Sequence, residues 1–586
     1  MTRRARRLLA AILIGIGLPA CDRAPSSTPS TPAVDPPPRD VASLLFVSLD
    51  TFRADAAGCG GHPRAHTPHL DRLARQGAQL DGIAATPLTA PSHTSMMTGL
   101  DPPAHGVRDN GTFRLDDSIP TLAEALSARS FRTAAIVAAF PVSARFGLAR
   151  GFGHYDEALD GSASSFVIAQ RPGTEVAAAA RSIWKDAAGS RRFVWVHLFD
   201  AHTPHDAPRS LIRALGDDYL ADVSVADRAL GRVLADAEEL AGPHWVVVLG
   251  DHGESRGDHK EATHGLFVYR ATMAVPAIVW PRPQELPAVS RRPFRLIDLP
   301  ATTFALLGLE PSAAPGLGLS VLGKKSAPAY LESHYAYYHY GWAPLAALQD
   351  GDWKYVEAPE PELYDLAADP GESDDLSGIE TTRAHEFALR LASRAADDRA
   401  GPRSDLTDAD REALESLGYV TGAENRRSDL PDPKRMVRVV NALEQAQAAI
   451  SAGQFDAGLR LLRRAQALDP QNKDVQQTFG ITYTALGDHD AAAESFRRAL
   501  ELPPHDNDRV PRFELASSLL RLGRAEEAAG ELERILTAEP DDADAWYNLG
   551  VARQALGRPQ KAQEAFRRAL AVDPDHELAR AQVRPD

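Results

Sequence analysis

The sequence predicts an α/β domain with a mainly parallel sheet between helices, followed by an all-α repeat array. Two observations carry this. Short runs that are apolar at nearly every position alternate with stretches, such as 220–240, whose apolar residues recur at helical spacing. Strands buried on both faces and joined by crossover helices give that pattern. From about Met436, glycines recur at Gly453, Gly487, Gly523 and Gly557, and prolines at Pro470, Pro504, Pro540 and Pro574, both at intervals of 34, 36 and 34 residues. A fixed period of that length marks stacked helical units. A chain of 586 residues with 44% hydrophobic and 25% charged residues is neither wholly disordered nor polytopic in a membrane. A net charge of −16 argues against a nucleic-acid partner, because phosphate backbones are held by clustered Lys and Arg. Two cysteines, Cys21 and Cys59, cannot build a disulfide framework.

The chain opens with Arg3, Arg4, Arg6 and Arg7 ahead of an apolar run from Leu8 to Leu18. That run is too short to span a bilayer and reads as a signal peptide over residues 1–21. Its end, Leu18-Pro19-Ala20-Cys21, resembles the bacterial lipobox. Cys21 is therefore expected to carry a lipid that anchors the protein to a membrane, placing it in the periplasm of a bacterial cell envelope. Residues 22–40 are rich in Pro, Ser and Thr and read as an extended tether.

Residues 41–400 read as the α/β domain. Leu44–Leu49 is followed at once by Asp50, Phe193–Phe199 by Asp200, and Trp245–Gly250 by Asp251. A fourth apolar run, Val275–Trp280, has no acid after it. Ligands of open α/β sheets collect beyond the carboxyl ends of the strands. One acid there is usually a turn or cap residue; three, two of them with His close behind, point to a shared site. Cys59 reads as a small buried residue, not a nucleophile.

The chemistry-bearing segments are Asp50-Thr51-Phe52-Arg53; Thr86-Pro87-Leu88-Thr89-Ala90-Pro91-Ser92-His93 with Asp109-Asn110; His197-Leu198-Phe199-Asp200-Ala201-His202-Thr203-Pro204-His205; and Gly250-Asp251-His252-Gly253-Glu254 with His264-Gly265. In order and spacing, from about Ser43 to Leu376, they resemble the sulfatase family of the alkaline phosphatase superfamily. Trp353-Lys354-Tyr355 and Glu362-Leu363-Tyr364-Asp365 resemble its small C-terminal subdomain. The resemblance implies a hydrolase of ester bonds acting on a small anionic ester.

The departures set the expected chemistry. The family's Cys or Ser that becomes formylglycine is Thr89 here, and the Arg of the same signature is His93. Threonine cannot become formylglycine. Thr89 resembles instead the nucleophile of diesterase, phosphonate hydrolase and phosphoglycerol transferase relatives, which implies cleavage or transfer of a phospho- or phosphono-ester. A helix N-cap role for Thr89 fits the same turn. A hydroxyl is a poor nucleophile at neutral pH unless a cation activates it. The resemblance implies a divalent metal held by Asp50, Asp251 and His252. The imidazole shifts preference from Ca²⁺ toward Zn²⁺ or Mn²⁺. Asp200, His202 or His205, and His264 resemble a second metal site or an anion contact. Asn110 resembles an amide that contacts a non-bridging oxygen. The catalytic set is thus Thr89, His93 and Asn110. Two other readings are a sulfuric ester hydrolase working without formylglycine and a degenerate scaffold for the repeats.

Residues 401–433 are charged, hold several Gly and Pro, and read as a linker. Residues 434–586 resemble about four tetratricopeptide repeats, with Phe479-Gly480, Trp546 with Leu549-Gly550, Ala492 with Phe496 and Ala562 with Phe566 where that motif wants them. The resemblance implies a concave surface for a protein partner. A repeat array with its own core is expected to fold apart from the catalytic domain, so a chain ending near Asp398 is expected to keep small-ester turnover.

Overall fold

The computed structural model describes residues 34–159, 170–186, 190–240, 242–395, 398–404, 406, 410, 414, 430–502 and 508–583. The expected signal peptide, Cys21 and the first part of the tether lie outside the described residues. The strands are β1 (Ser43–Leu49), β2 (Ala78–Ile83), β3 (Arg132–Ile136), β4 (His154–Asp156), β5 (Arg192–Leu198), β6 (His244–Gly250), β7 (Ala274–Trp280), β8 (Val289–Arg295), β9 (Ala329–Ser333), β10 (Leu345–Asp350), β11 (Trp353–Glu357) and β12 (Glu362–Asp365).

The eight-stranded sheet has the order β4-β3-β5-β1-β6-β7-β2-β8. Every residue of β1, β5 and β6 is buried. Their side chains alternate between two hydrophobic layers. Leu44, Phe46, Phe193, Trp195, Trp245 and Val247 join one layer, and Leu45, Val47, Val194, Val196, Val246 and Val248 join the other. Each such side chain withdrawn from water contributes roughly 1.5–3 kcal/mol. One layer is closed by the helices Gly173–Asp186 and Asp218–Leu240 through Val176, Trp184, Tyr219 and Val233. The other is closed by the helices Thr89–Thr98, Leu122–Ser127 and Leu299–Leu306 through Met96, Met97, Leu122 and Phe304.

β1 pairs in parallel with β5 and β6, so Asp50 and Asp251 leave the sheet at one edge, side by side. β7 runs antiparallel to both β6 and β2. Its carboxyl end therefore faces the opposite edge, which explains the run that carries no acid.

β9 to β12 form a separate antiparallel sheet in the order β12-β11-β10-β9. The helix Thr381–Ala395 covers it with Phe387 and Leu391 against Tyr355 and Leu363.

Four helix pairs follow: Pro433–Ser451 with Phe455–Leu468, Lys473–Ala485 with His489–Glu501, Arg509–Arg521 with Ala525–Ala538, and Ala543–Ala555 with Pro559–Val572. The four periodic glycines all have left-handed backbones, with φ of 74°, 77°, 74° and 69°. A side chain there would be strained, which accounts for their recurrence.

The boundary near residue 400 differs from the expectation. Gly401 N–H donates to Gly106 O (2.9 Å), Arg114 N–H to Pro402 O (2.9 Å) and Ser404 N–H to Thr112 O (3.0 Å). Leu414 is buried in the layer that holds Val47 and Val194. The described part of the expected linker is thus built into the catalytic domain. The first repeat is joined to that domain as well. Val437, Ala442 and Leu443 share one hydrophobic cluster with Trp342 and Tyr364, and Trp342 Nε1 donates to Asp469 Oδ2 (3.0 Å). Among the described residues no helix is long and apolar enough to cross a membrane.

Candidate active site and metal centre

β1 and β6 deliver Asp50 and Asp251, and His252 follows in the same loop. One ligand atom from each of these three buried residues lies within 4.8 Å of the others, and among the described residues they are the trio placed to hold a metal ion. Asp251 Oδ1 accepts from the backbone N–H of Thr51 (3.1 Å) and His252 (2.6 Å). Its Oδ2 is buried without a hydrogen-bond partner. Thr51, whose φ of 50° is left-handed, holds Asp50 Oδ1 with its hydroxyl at 2.9 Å.

Asp50 Oδ2 lies 3.1 Å from His197 Nε2. The Ala138 N–H donates to His197 Nδ1 (3.3 Å), which leaves Nε2 as the donor to Asp50. Burial pushes the Asp50 carboxyl up, but the His197 hydrogen bond and the field of His252 outweigh it and hold it well below the usual range. Burial and the Asp50 charge push Asp251 well above that range. Two carboxylates at this separation repel by roughly 3–4 kcal/mol at an effective dielectric near 20. A cation between them would remove that cost, and the orphaned Asp251 oxygen fits such a ligand.

Burial and the neighbouring His264 push His252 down to about 3, so its imidazole is neutral. His252 Nδ1 lies 3.0 Å from the carbonyl of Gly253, which can only accept. The lone pair therefore sits on Nε2, 3.6 Å from Asp251 Oδ2. A neutral imidazole fixed by a carbonyl on its far nitrogen suits metal binding.

Thr89 is the first residue of a ten-residue helix that is buried throughout. The cap position is Leu88, and no side chain caps the turn. The Thr89 hydroxyl is thus not spent on capping; it lies 3.5 Å from His252 Nε2. Asn110 serves the helix end instead: its Oδ1 accepts from Ala90 N–H at 2.7 Å. Its Nδ2 is buried with no partner.

Two expected members are placed otherwise. His93 Nδ1 donates to Thr89 O (2.8 Å), and its Nε2 accepts from Ser48 Oγ (2.9 Å), which also takes the Trp195 indole N–H at 2.9 Å. Burial and His197 push His93 down to about 3. With both nitrogens engaged inside the fold, His93 holds the turn that carries Thr89, and its Nδ1 lies 3.7 Å from Asp251 Oδ2. Asp200 is not grouped with the trio: its Oδ1 accepts from Gly173 N–H at 2.9 Å at the start of the helix Gly173–Asp186, and its Oδ2 is buried without a hydrogen-bond partner. Burial pushes it up to about 6. The strand-end position was legible, but the direction of the side chain was not.

His202 and His264 do approach the trio. Their rings stand 5.1 Å apart edge to face, and His264 is 4.6 Å from His252. His205 does not join them, because it pairs with Asp222 at 2.7 Å. The acid beside His264 is Glu254, at 3.2 Å. Burial lowers the His264 imidazole, but Glu254 outweighs it and raises it overall. Glu254 and His197 are the site residues that the sequence reading left without a role. Each sits inside a quoted motif, and nothing in spacing alone assigns its hydrogen bond.

Arg108 is tied to Glu332 (2.5 Å) and Arg256 to Asp217 (2.7 Å), so both serve the fold. Cys59 has its thiol pushed up to about 12 by burial and Asp71, which removes it as a nucleophile.

Two cavities lie near these elements. The larger, about 1140 Å³, is lined by Asp81, Tyr269, Lys354 and Glu362 and holds none of the trio. The second, about 450 Å³, is lined by His264, Tyr335, Tyr340, Glu444 and Lys473, so it meets the site at His264 and lies against the repeats.

Comparison with known proteins places this geometry. A sulfatase family model matches residues 43–309. Tetratricopeptide repeat models match 449–511, 509–552 and 543–576. The steryl-sulfatase of Mus musculus is 26% identical over 565 residues, covering 69% of this chain and 88% of that protein. Arylsulfatase K of Xenopus laevis is 26% identical over 206 residues, 31% of this chain and 37% of that one. A putative sulfatase from Bacteroides fragilis aligns with a TM-score of 0.51 and 19% identity over 61% of this chain and 96% of its own. A phosphonate monoester hydrolase of Agrobacterium radiobacter aligns with a TM-score of 0.52 and 19% identity over 61% and 96%. At that identity the two structures establish the shared fold.

Proposed function

We propose, from the premise that the chain carries a sulfatase domain of the alkaline phosphatase superfamily ahead of tetratricopeptide repeats and is an ester-acting hydrolase, that Thr89 is its nucleophile toward phospho- or phosphono-esters. The observation that supports this is the Thr89 hydroxyl, unused as a cap and 3.5 Å from His252 Nε2 at a buried helix N-terminus.

Asp50, Asp251 and His252 would hold a divalent metal, for which His252 favours Zn²⁺ or Mn²⁺ over Ca²⁺. When bound, it would supply positive charge to the threonine oxygen and the anionic ester. The remaining steps belong to the chain. The helix N-terminus favours the anion, and Asn110 Nδ2 has a proton to donate to a non-bridging oxygen. Thr89 Oγ1 gives its proton to water and forms the new bond to phosphorus, and the bond to the leaving alcohol breaks. His264, paired with Glu254 at 3.2 Å and raised by it above the usual imidazole range, gives a proton to the departing oxygen. Neutral His264 then takes a proton from the water that cleaves phosphothreonine and restores Thr89. An acceptor alcohol in place of water would give transfer.

The test is turnover of paired phosphodiester and sulfate-ester reporters before and after chelation. The reading expects phosphodiester cleavage that chelation abolishes and Zn²⁺ or Mn²⁺ restores. Turnover of the sulfate ester alone would instead support the sulfuric ester hydrolase suggested by the sulfatase relatives. Undiminished turnover after exhaustive chelation would remove the metal.

We also place the protein in a bacterial envelope, lipid-anchored at Cys21, on the basic start, apolar run and lipobox-like end. Cys21→Ala should release it from membranes, and unchanged fractionation would reject the anchor.

A further inference from the structure

The cavity of about 450 Å³ that reaches His264 is walled on one side by the α/β domain and on the other by the first three repeats. Its volume suits a small-molecule group. The α/β side contributes an aromatic cluster. Tyr335, Tyr338, His339 and Tyr340 line it, with the Tyr335 and His339 rings stacked at 3.9 Å. The repeat side contributes hydrogen-bond acceptors from two helices, Asp474 on Lys473–Ala485 and Glu444 and Asn441 on Pro433–Ser451. Glu444 lines the cavity half-buried, with no ion-pair or hydrogen-bond partner among the described residues. Asn441, one turn earlier, gives its Nδ2 protons to Lys260 O (2.8 Å) and keeps a buried Oδ1 without a partner.

Two basic residues of this lining are engaged. Lys473 is paired to Asp508 at 2.7 Å and His264 to Glu254 at 3.2 Å. A partly dehydrated carboxylate, an orphaned amide oxygen and tyrosine rings together ask for a donor that carries positive charge. An anionic end at Thr89 and a cationic end at Glu444 would then belong to one substrate.

Resting on Thr89 as the nucleophile, we infer that the repeats complete the substrate site, and that Glu444 and Asn441 select esters whose organic group carries an ammonium. The array is then part of the enzyme's specificity, not only a surface for another protein.

The test compares two phosphodiesters of matched shape on the full-length protein: p-nitrophenyl phosphorylcholine and p-nitrophenyl 3,3-dimethylbutyl phosphate, which differ by one positive charge. The wild type should prefer the choline diester by roughly ten-fold in kcat/KM, mostly through KM. Glu444→Gln should bring that ratio to within about two-fold, and Glu444→Asp, which keeps the charge, should hold most of it. Equal turnover of both diesters by the wild type overturns the inference and leaves the Thr89 chemistry standing. A preference that Glu444→Gln retains in full overturns the assignment to Glu444. If the wild type cleaves neither diester, the Thr89 reading itself fails, and this inference fails with it.

Discussion

Asp50, Asp200 and Asp251 all follow buried strands, yet they do different work. Asp50 and Asp251 meet at neighbouring strand ends, whereas Asp200 holds the start of a helix. Asp200→Asn keeps an acceptor for Gly173 N–H and removes the buried charge, so turnover should stay within a few-fold; a metal ligand would lose nearly all. The same variant has a pH signature. The Asp200 carboxyl is raised from 3.8 to about 6 by burial. A raised folded-state value means that its contribution to stability is fully present below about 4 and is lost as pH rises through about 6. Asp200→Asn should therefore melt like wild type near pH 4 and gain up to about 3 kcal/mol by pH 7, read from denaturant curves at the two pH values. At this scale the sequence was legible where type and position bring residues together, as for Asp50, Thr89, Asp251 and His252. It was not legible where a hydrogen bond decides, as for His93, engaged by Ser48 and Thr89, or His197, oriented by Ala138.

The helix Thr89–Thr98 is the element on which the proposed chemistry depends. Its first turn is held from two sides, by Asn110 on Ala90 N–H and by His93 on Thr89 O. The proposed chemistry gives Asn110 two separable duties. Asn110→Asp retains the acceptor for Ala90 and removes the Nδ2 donor, so the melting temperature should stay within a few degrees while kcat falls by roughly 10²–10³. Asn110→Ala should lose both, with a stability cost of about 1–2 kcal/mol. Wild-type kcat in Asn110→Asp would assign the residue to the turn alone. Four strands were legible as elements, because β1, β5, β6 and β7 are apolar at nearly every position. The direction of β7 was not, since a run buried on both faces looks the same in either orientation. Only pairing with β6 and β2 sets it.

The two-part plan of the molecule, an α/β domain and a repeat array, was legible from its two periodicities; the seam between the parts was not. Spacing cannot reveal that Val437 and Leu443 share a cluster with Trp342, or that Gly401 is bonded to Gly106. The seam reverses the expectation for a chain ending at Asp398. That chain would uncover Trp342 and remove one wall of the cavity at His264. It should melt lower than the full chain and lose at least ten-fold in kcat/KM for the choline diester, a loss set by the same interactions that give the preference. Retained stability and retained selectivity would restore the picture of independent modules. The central claim, that Thr89 carries the transferred group, is tested most directly by mass spectrometry of full-length protein acid-quenched during phosphodiester turnover. The account predicts a phosphoryl or phosphodiester adduct on Thr89 that disappears as substrate is consumed and is absent from Thr89→Ala. Adduct-free protein throughout turnover, with Thr89→Ala cleaving the diester at the wild-type rate, would contradict it.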